Sequence, residues 1–146
     1  MTFSKQRFCL DWSMPPSETD WRNLQAAGVR LVMLPLPFAD QTTLARLSSM
    51  GCKVVIRVPE GTYDDDFAPH RIPLQVAAAS HACPVDAVIL GVEPENGIRF
   101  DWGSPSWGQE QAYTHRARFD AVRIPLQAQG FKVVSPVCTL RNVTDD

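Results

Sequence analysis

The sequence predicts an α/β fold made of parallel βα repeats, in one domain spanning residues 1–146. Short β-branched runs alternate with longer stretches of helical periodicity. A glycine precedes three of the runs, in Ala27-Gly28-Val29-Arg30-Leu31-Val32, Met50-Gly51-Cys52-Lys53-Val54-Val55 and Gln129-Gly130-Phe131-Lys132-Val133-Val134. Glycine there ends a helix in the left-handed conformation, and the β-branched residues open a strand. Each run then meets a proline (Pro35, Pro59 or Pro136) that stops the strand and starts a loop. Strict alternation of strand and helix implies right-handed crossovers and a parallel sheet.

Taken in order, the first strand runs from Phe8 to Trp12 and is followed by Ser13-Met14-Pro15-Pro16. Ser17 with Asp20 is a capping-box-like start for a helix that ends at Gly28. The second strand is Leu31 to Leu36. Asp40 caps the next helix, which carries Leu44 and Leu47 on one face and closes at Gly51. Val54 to Val58 is the third strand, and the loop after it holds Glu60 and the acidic run Asp64-Asp65-Asp66. A helix from Ile72 to Ala82 leads to the fourth strand, Ala87 to Gly91. After a long loop, a helix from Gln109 to Gln129 turns Ala112, Phe119, Val122 and Leu126 inward, with Pro125 expected to kink it. Lys132 to Val137 is the fifth strand, and Leu140 to Asp146 is a polar tail.

Size and charge narrow the function classes. A chain of 146 residues can bury one real core and is too short for two. A formal net charge of −2 offers no basic surface for nucleic acid or an acidic membrane. No apolar run approaches the roughly 18 residues of a membrane span. Met1 to Arg7 is charged, with no apolar stretch of a secretory signal behind it, so the expected location is cytoplasmic by default. Cys9, Cys52, Cys83 and Cys138 lack Cys-x-x-Cys spacing and read as buried free thiols on or beside strands. His70, His81 and His115 are equally scattered, so neither a metal nor another cofactor is expected.

Two architectures fit the repeats. One is an open, doubly wound, five-stranded domain. The other is a partial (βα)8 barrel holding the first five of eight strands, since a whole barrel needs about 250 residues. A nucleotide-binding doubly wound domain commonly has a glycine-rich turn after its first strand. The turn here is Trp12-Ser13-Met14-Pro15-Pro16, which has nothing to cradle a phosphate.

The stretch with most chemistry is Val85-Asp86-Ala87-Val88-Ile89-Leu90-Gly91-Val92-Glu93-Pro94-Glu95-Asn96. Runs apolar on both faces are typical of parallel strands covered on both sides. Chain leaving the carboxyl ends of such strands is where α/β folds place their sites. The residue before a proline is held extended, so Glu93 should project from the strand end and Glu95, past the proline, towards solvent. A surface turn with two solvated glutamates is the plainer reading. Phe100, Asp101, Trp102 and Trp107 crowd the following loop, and Trp12 ends the first strand. Flat aromatic faces beside polar groups suit a hydroxylated ligand, although the same rings serve equally to pack the loop onto the strands or to form a protein contact.

Gly91-Val92-Glu93-Pro94-Glu95 resembles the Gly-Asn-Glu-Pro-Asn motif of clan A glycoside hydrolases, and Gly28 to Pro35 and Gly51 to Val58 resemble their second and third strands. The resemblance runs from the first strand to the fifth. It implies a (βα)8 barrel, a carbohydrate ligand, and Glu93 as general acid/base. Trp12, Glu60, Glu95, Asn96, Trp102 and Trp107 are then the expected substrate-binding residues. Val92 replaces the asparagine that bonds the sugar, Met33 falls where many members carry arginine, and Pro59 near where some carry histidine. The family's nucleophile lies on the seventh strand, so the resemblance also implies a truncated domain, with the second carboxylate beyond these five strands.

Glycoside hydrolysis needs two carboxyl groups, about 5–5.5 Å apart for retention and 6.5–9.5 Å for inversion. Glu60 is a substitute second carboxylate if it is not simply a solvated loop residue. Three readings follow: part of a glycoside hydrolase completed by other sequence, a non-catalytic carbohydrate-binding or structural barrel fragment, or an unrelated small α/β domain. A barrel piece exposes strand edges, so self-association or pairing with a complementing barrel segment is expected.

Overall fold

The computed structural model describes residues 9–12, 14–58, 70–90 and 107–134. Five parallel strands form one sheet in the order β1-β2-β3-β4-β5: β1 (Cys9–Asp11), β2 (Leu31–Pro35), β3 (Lys53–Val58), β4 (Val85–Leu90) and β5 (Val133–Val134). The helices between them are α1 (Glu18–Ala27), α2 (Gln41–Ser49), α3 (Arg71–Ala82) and α4 (Trp107–Ala128), with a 3-10 turn at Leu36–Phe38. The strand order never reverses, which corrects the doubly wound alternative, because that arrangement requires a switch point. Consecutive right-handed crossovers put successive helices on one side of the sheet. There α2 packs against α3, and α3 against α4. This is the strand order of a (βα) barrel wall.

Local sequence explains most boundaries. The Ser17 hydroxyl accepts from Asp20 N, and the Asp20 carboxylate takes the Ser17 N–H at 2.8 Å, completing the capping box of α1. Asp40 takes the Thr42 and Thr43 N–H groups at 2.9 and 3.0 Å and starts α2. Gly28, Gly51 and Gly130 have φ of 63°, 72° and 88°, the left-handed region in which a helix hands over to a strand.

Several boundaries move. The second strand ends at Pro35, where the 3-10 turn begins. The fourth strand starts at Val85, two residues before the expected Ala87, because Val85 pairs with Val54 while Val54 N donates to Pro84 O at 2.9 Å. A register shift between Val54 and Val55 accommodates exposed Asp86 within β4. The last helix begins at Trp107 and continues past Pro125, with Gln129 N bonded to Pro125 O at 3.1 Å. Val122 and Leu126 are fully buried as the pattern required, and Phe119 packs beside them; Ala112's side chain lies outside the described residues.

One core holds the layers together. Leu24 and Trp21 of α1, Leu44 and Leu47 of α2, Ile72 and Val76 of α3, and Val122 and Leu126 of α4 close over Val32, Leu34, Val54, Ile56, Val58, Val88 and Leu90 of the strands. Each such side chain contributes roughly 1.5–3 kcal/mol through apolar burial. Among the described residues the helices cover this face, and on the other face Pro35 is also buried. Val55 and Ala87 on the other face are buried, yet they lie outside the core cluster.

Candidate functional site at the strand ends

Strand alternation decides what the second face presents. Residues opposite in sense to the core positions are Cys9 and Asp11 on β1, Leu31 and Met33 on β2, Lys53, Val55 and Arg57 on β3, and Ala87 and Ile89 on β4. Leu31, Met33, Arg57 and Ile89 are half-buried, and Cys9, Asp11 and Lys53 are exposed. The register aligns Asp11, Met33, Val55 and Ala87 in one row, and Pro35, Arg57 and Ile89 in the next row towards the carboxyl ends.

This face is hollowed. A cavity of about 510 Å³ opens at the amino ends of the middle strands, where Arg30, Leu31, Gly51, Lys53 and Asp86 line it. Burial chiefly, then the charges of Asp11 and Asp86, push the Cys9 thiol above its ordinary value, although a Met33 backbone hydrogen bond opposes them. Asp86 lies three strands from Cys9 in the sheet order.

At the carboxyl-end row, Arg57 reaches across β2 to Asp11, with Nη1 3.4 Å from Oδ2. The Arg57 side chain is 17% exposed and that of Asp11 45%. Arg57 stands beside Ile89 of β4 in the register, and Glu93 follows Ile89 by four residues in the chain. Both charged residues interrupt otherwise apolar strand runs, in Cys9-Leu10-Asp11-Trp12 and Val54-Val55-Ile56-Arg57-Val58. That interruption is the signal the motif-led reading passed over.

The expected site residues are placed unevenly. Glu93, Glu60, Glu95, Asn96 and Trp102 lie outside the described residues. Trp107 is the first residue of α4, where a loop was expected, and its side chain is also outside them. Trp12 sits on the helix-covered face, 6% exposed, edge-on to Trp21 with ring centroids 4.8 Å apart. Its N–H extends the β1–β2 pairing by donating to Met33 O at 2.8 Å. Among the cysteines, Cys52 and Cys83 are buried and free as expected, whereas Cys9 is free but exposed; Cys138 lies outside the described residues.

Among the described residues, no group of three or more His, Cys, Asp or Glu side chains is arranged to hold a metal ion. No described helix is long and apolar enough to cross a membrane. The chain matches no protein-family model, no curated protein and no solved structure. Functional inference therefore rests on the residues and their geometry.

Proposed function

We propose that this chain is a five-strand stretch of a (βα) barrel of the clan A glycoside hydrolase type, acting on or binding carbohydrate at the carboxyl ends of its strands. The observation that carries the reading is the unbroken parallel order β1 to β5, with the helices stacked on one side of the sheet. In such a wall the fourth strand has neighbours on both sides, and the residues following it belong to the end where barrels build their sites. Glu93, three residues beyond Leu90, is the general acid/base in this proposal.

A general acid must stay protonated near neutral pH, which an apolar wall or a neighbouring carboxylate achieves by disfavouring the anion. Glu60 is the nearest sequence candidate for a second carboxylate. Glu95, Asn96, Trp102 and Trp107 are proposed sugar contacts. Trp12, already packed on Trp21, supports the strand end from beneath. Binding without turnover is favoured wherever no second carboxylate joins Glu93. The exposed sheet edges and half-exposed Met33 and Ile89 favour self-association or pairing with a complementing barrel segment.

The test is saturation of tryptophan fluorescence by β-linked oligosaccharides, combined with hydrolysis assays of Glu93→Gln and Glu95→Gln in the assembly that shows turnover. Glu93→Gln is expected to remove most turnover and to leave binding intact, with kcat falling more than affinity. Loss of activity only in Glu95→Gln would mean the motif is read in the wrong register. Failure of the whole oligosaccharide panel to bind would remove the carbohydrate reading.

A further inference from the structure

We propose that Arg57 is an oxyanion-recognition residue on the sheet face opposite the helices, near the carboxyl ends of the strands, so that the preferred carbohydrate carries a carboxylate or a phosphate. The proposal rests on the carbohydrate reading above for the rest of the ligand, but its own argument comes from three arginines in ion pairs. Arg46 grips Glu18 with two bonds, at 2.7 and 3.1 Å, and lies 4.3 Å over the Trp21 ring. Arg123 holds Asp120 at 2.8 Å and Gln127 at 2.7 Å. Their side chains are 43% and 31% exposed. Arg57 is the most buried of these three, at 17% exposed, and its one polar side-chain contact among the described residues is a single 3.4 Å approach to Asp11.

That combination is unusual for a structural pair. Guanidinium presents five N–H donors in a planar fork suited to two oxygens of a carboxylate or phosphate. Removing it from water is costly unless those donors are used, and one long bond uses little of the fork. Asp11, more exposed and loosely held, is a displaceable partner. The alternation of β3 turns Arg57 to the face no core helix covers, and the register puts it beside β4, whose continuation contains Glu93. Lys53, the next cation along that face of β3, is four residues back, roughly 13 Å along the strand, where it lines the amino-end hollow together with Asp86. Thus, among the described residues, Arg57 is the cation borne by the strands themselves on this face near their carboxyl ends, while exposed Arg71 opens the helix that follows β3. A uronate and a sugar phosphate present the same oxyanion to it.

Calorimetric titration of the full chain with cellobiose, cellobiouronic acid, cellobiose 6-phosphate and inorganic phosphate tests the assignment. Both acidic disaccharides are expected to bind about tenfold or more tightly than cellobiose, a preference that shrinks in high salt. The tighter of the two identifies the natural oxyanion. Arg57→Gln should erase the preference, bringing both acidic disaccharides down to the affinity of cellobiose. Asp11→Asn should strengthen the acidic ligands, since the competing carboxylate is gone. A preference that survives Arg57→Gln, or Asp11→Asn weakening the acidic ligands, overturns the assignment. Should Arg57→Gln not fold, Asp11→Asn decides alone, because the anion site and a structural strut predict opposite signs. Equal binding of neutral and acidic disaccharides overturns the oxyanion role and leaves the carbohydrate reading standing. Arg57-dependent binding of inorganic phosphate with no sugar binding supports the oxyanion role and removes the carbohydrate reading. Absence of binding by all four overturns both.

Discussion

On β3, Val54, Ile56 and Val58 are wholly shielded within the helix-covered core, whereas Lys53, Val55 and Arg57 alternate with them on the opposite face. The first set is aliphatic; the second mixes a lysine, a valine and an arginine within the same six-residue strand. β1 and β4 divide similarly, with Leu10 and Val88 towards the core and Asp11 and Ile89 away from it. Folding free energy is thus concentrated on one side. The other side sets buried Pro35, Val55 and Ala87 beside exposed Cys9, Asp11 and Lys53.

The largest expected contrast is in thiol reactivity. Cys9, exposed on the open face, should react with iodoacetamide in the native protein, while Cys52 and Cys83 wait for opening of the core. With ordinary domain stability, protection on the order of 10³-fold or more separates them, and mass spectrometry of the labelled peptides measures it. Comparable labelling of Cys83 and Cys9 would break the two-face description. The Cys83 thiol is pushed up to about 11, by burial first and by Cys52 second. Its raised value means that the native state keeps a proton which the unfolded thiol loses above roughly pH 8.5. Its contribution to stability is therefore complete below that pH and is lost as pH rises towards 11.

Cavity formation comes next. Ile56→Ala removes a fully buried side chain and is expected to cost about 2–5 kcal/mol in urea unfolding. Ile89→Ala, half-buried on the open face, should cost about 1 kcal/mol or less. Similar losses at both positions would mean that the open face is covered in solution, and sedimentation velocity would show whether a second copy covers it.

The halves of the molecule also differ in how far the sequence disclosed them. The helix-covered face was legible because its signals are local: Ser17 and Asp40 as caps, Gly28 and Gly51 as stops, and Leu44, Leu47, Val122 and Leu126 at helical spacing. Strand order was not legible, because alternation of strand and helix is common to barrels and doubly wound sheets; it took the consecutive pairing to decide. Trp12 was misleading for a related reason. A tryptophan at a strand end suits a sugar platform, but parity places it with Leu10 on the core side, against Trp21. Asp11 and Arg57 went unnoticed because 46 residues separate them, and only the β1-β2-β3 order puts them on the same sheet face within reach of each other.

A smaller effect belongs to the cap of α2. Asp40→Ala should cost about 1 kcal/mol, since two helix-end N–H groups lose their acceptor. Burial pushes the Asp40 carboxyl up, but the Thr43 hydroxyl and the Thr43 and Thr42 N–H groups outweigh it and hold the carboxyl below its usual range. A depressed folded value gives stability that is present above the unfolded value, near pH 3.9, and lost as pH falls through the folded value. Asp40→Asn should keep much of the cap and flatten that acid limb. An unchanged acid limb in Asp40→Asn would assign it to other carboxylates.

The smallest effect is the most telling for the comparison, because it sets two arginines against each other. Arg46→Met breaks a two-bond pair with Glu18 and lifts a cation from Trp21, so a modest stability loss is expected, reduced by salt because both partners are exposed. Arg57→Met breaks a single 3.4 Å contact and relieves the desolvation of a side chain only 17% exposed. These terms oppose each other, leaving the midpoint of urea unfolding within roughly 0.5 kcal/mol of wild type, or slightly stabilised. If Arg57→Met instead costs about 2 kcal/mol or more, the Asp11–Arg57 pair braces β1 against β3. In that event its loose geometry is no sign of an awaited ligand, and the open face loses its claim to be the functional one. If stability is unmoved while acidic-ligand binding falls, the guanidinium is held on this face for what it recognises and not for what it supports.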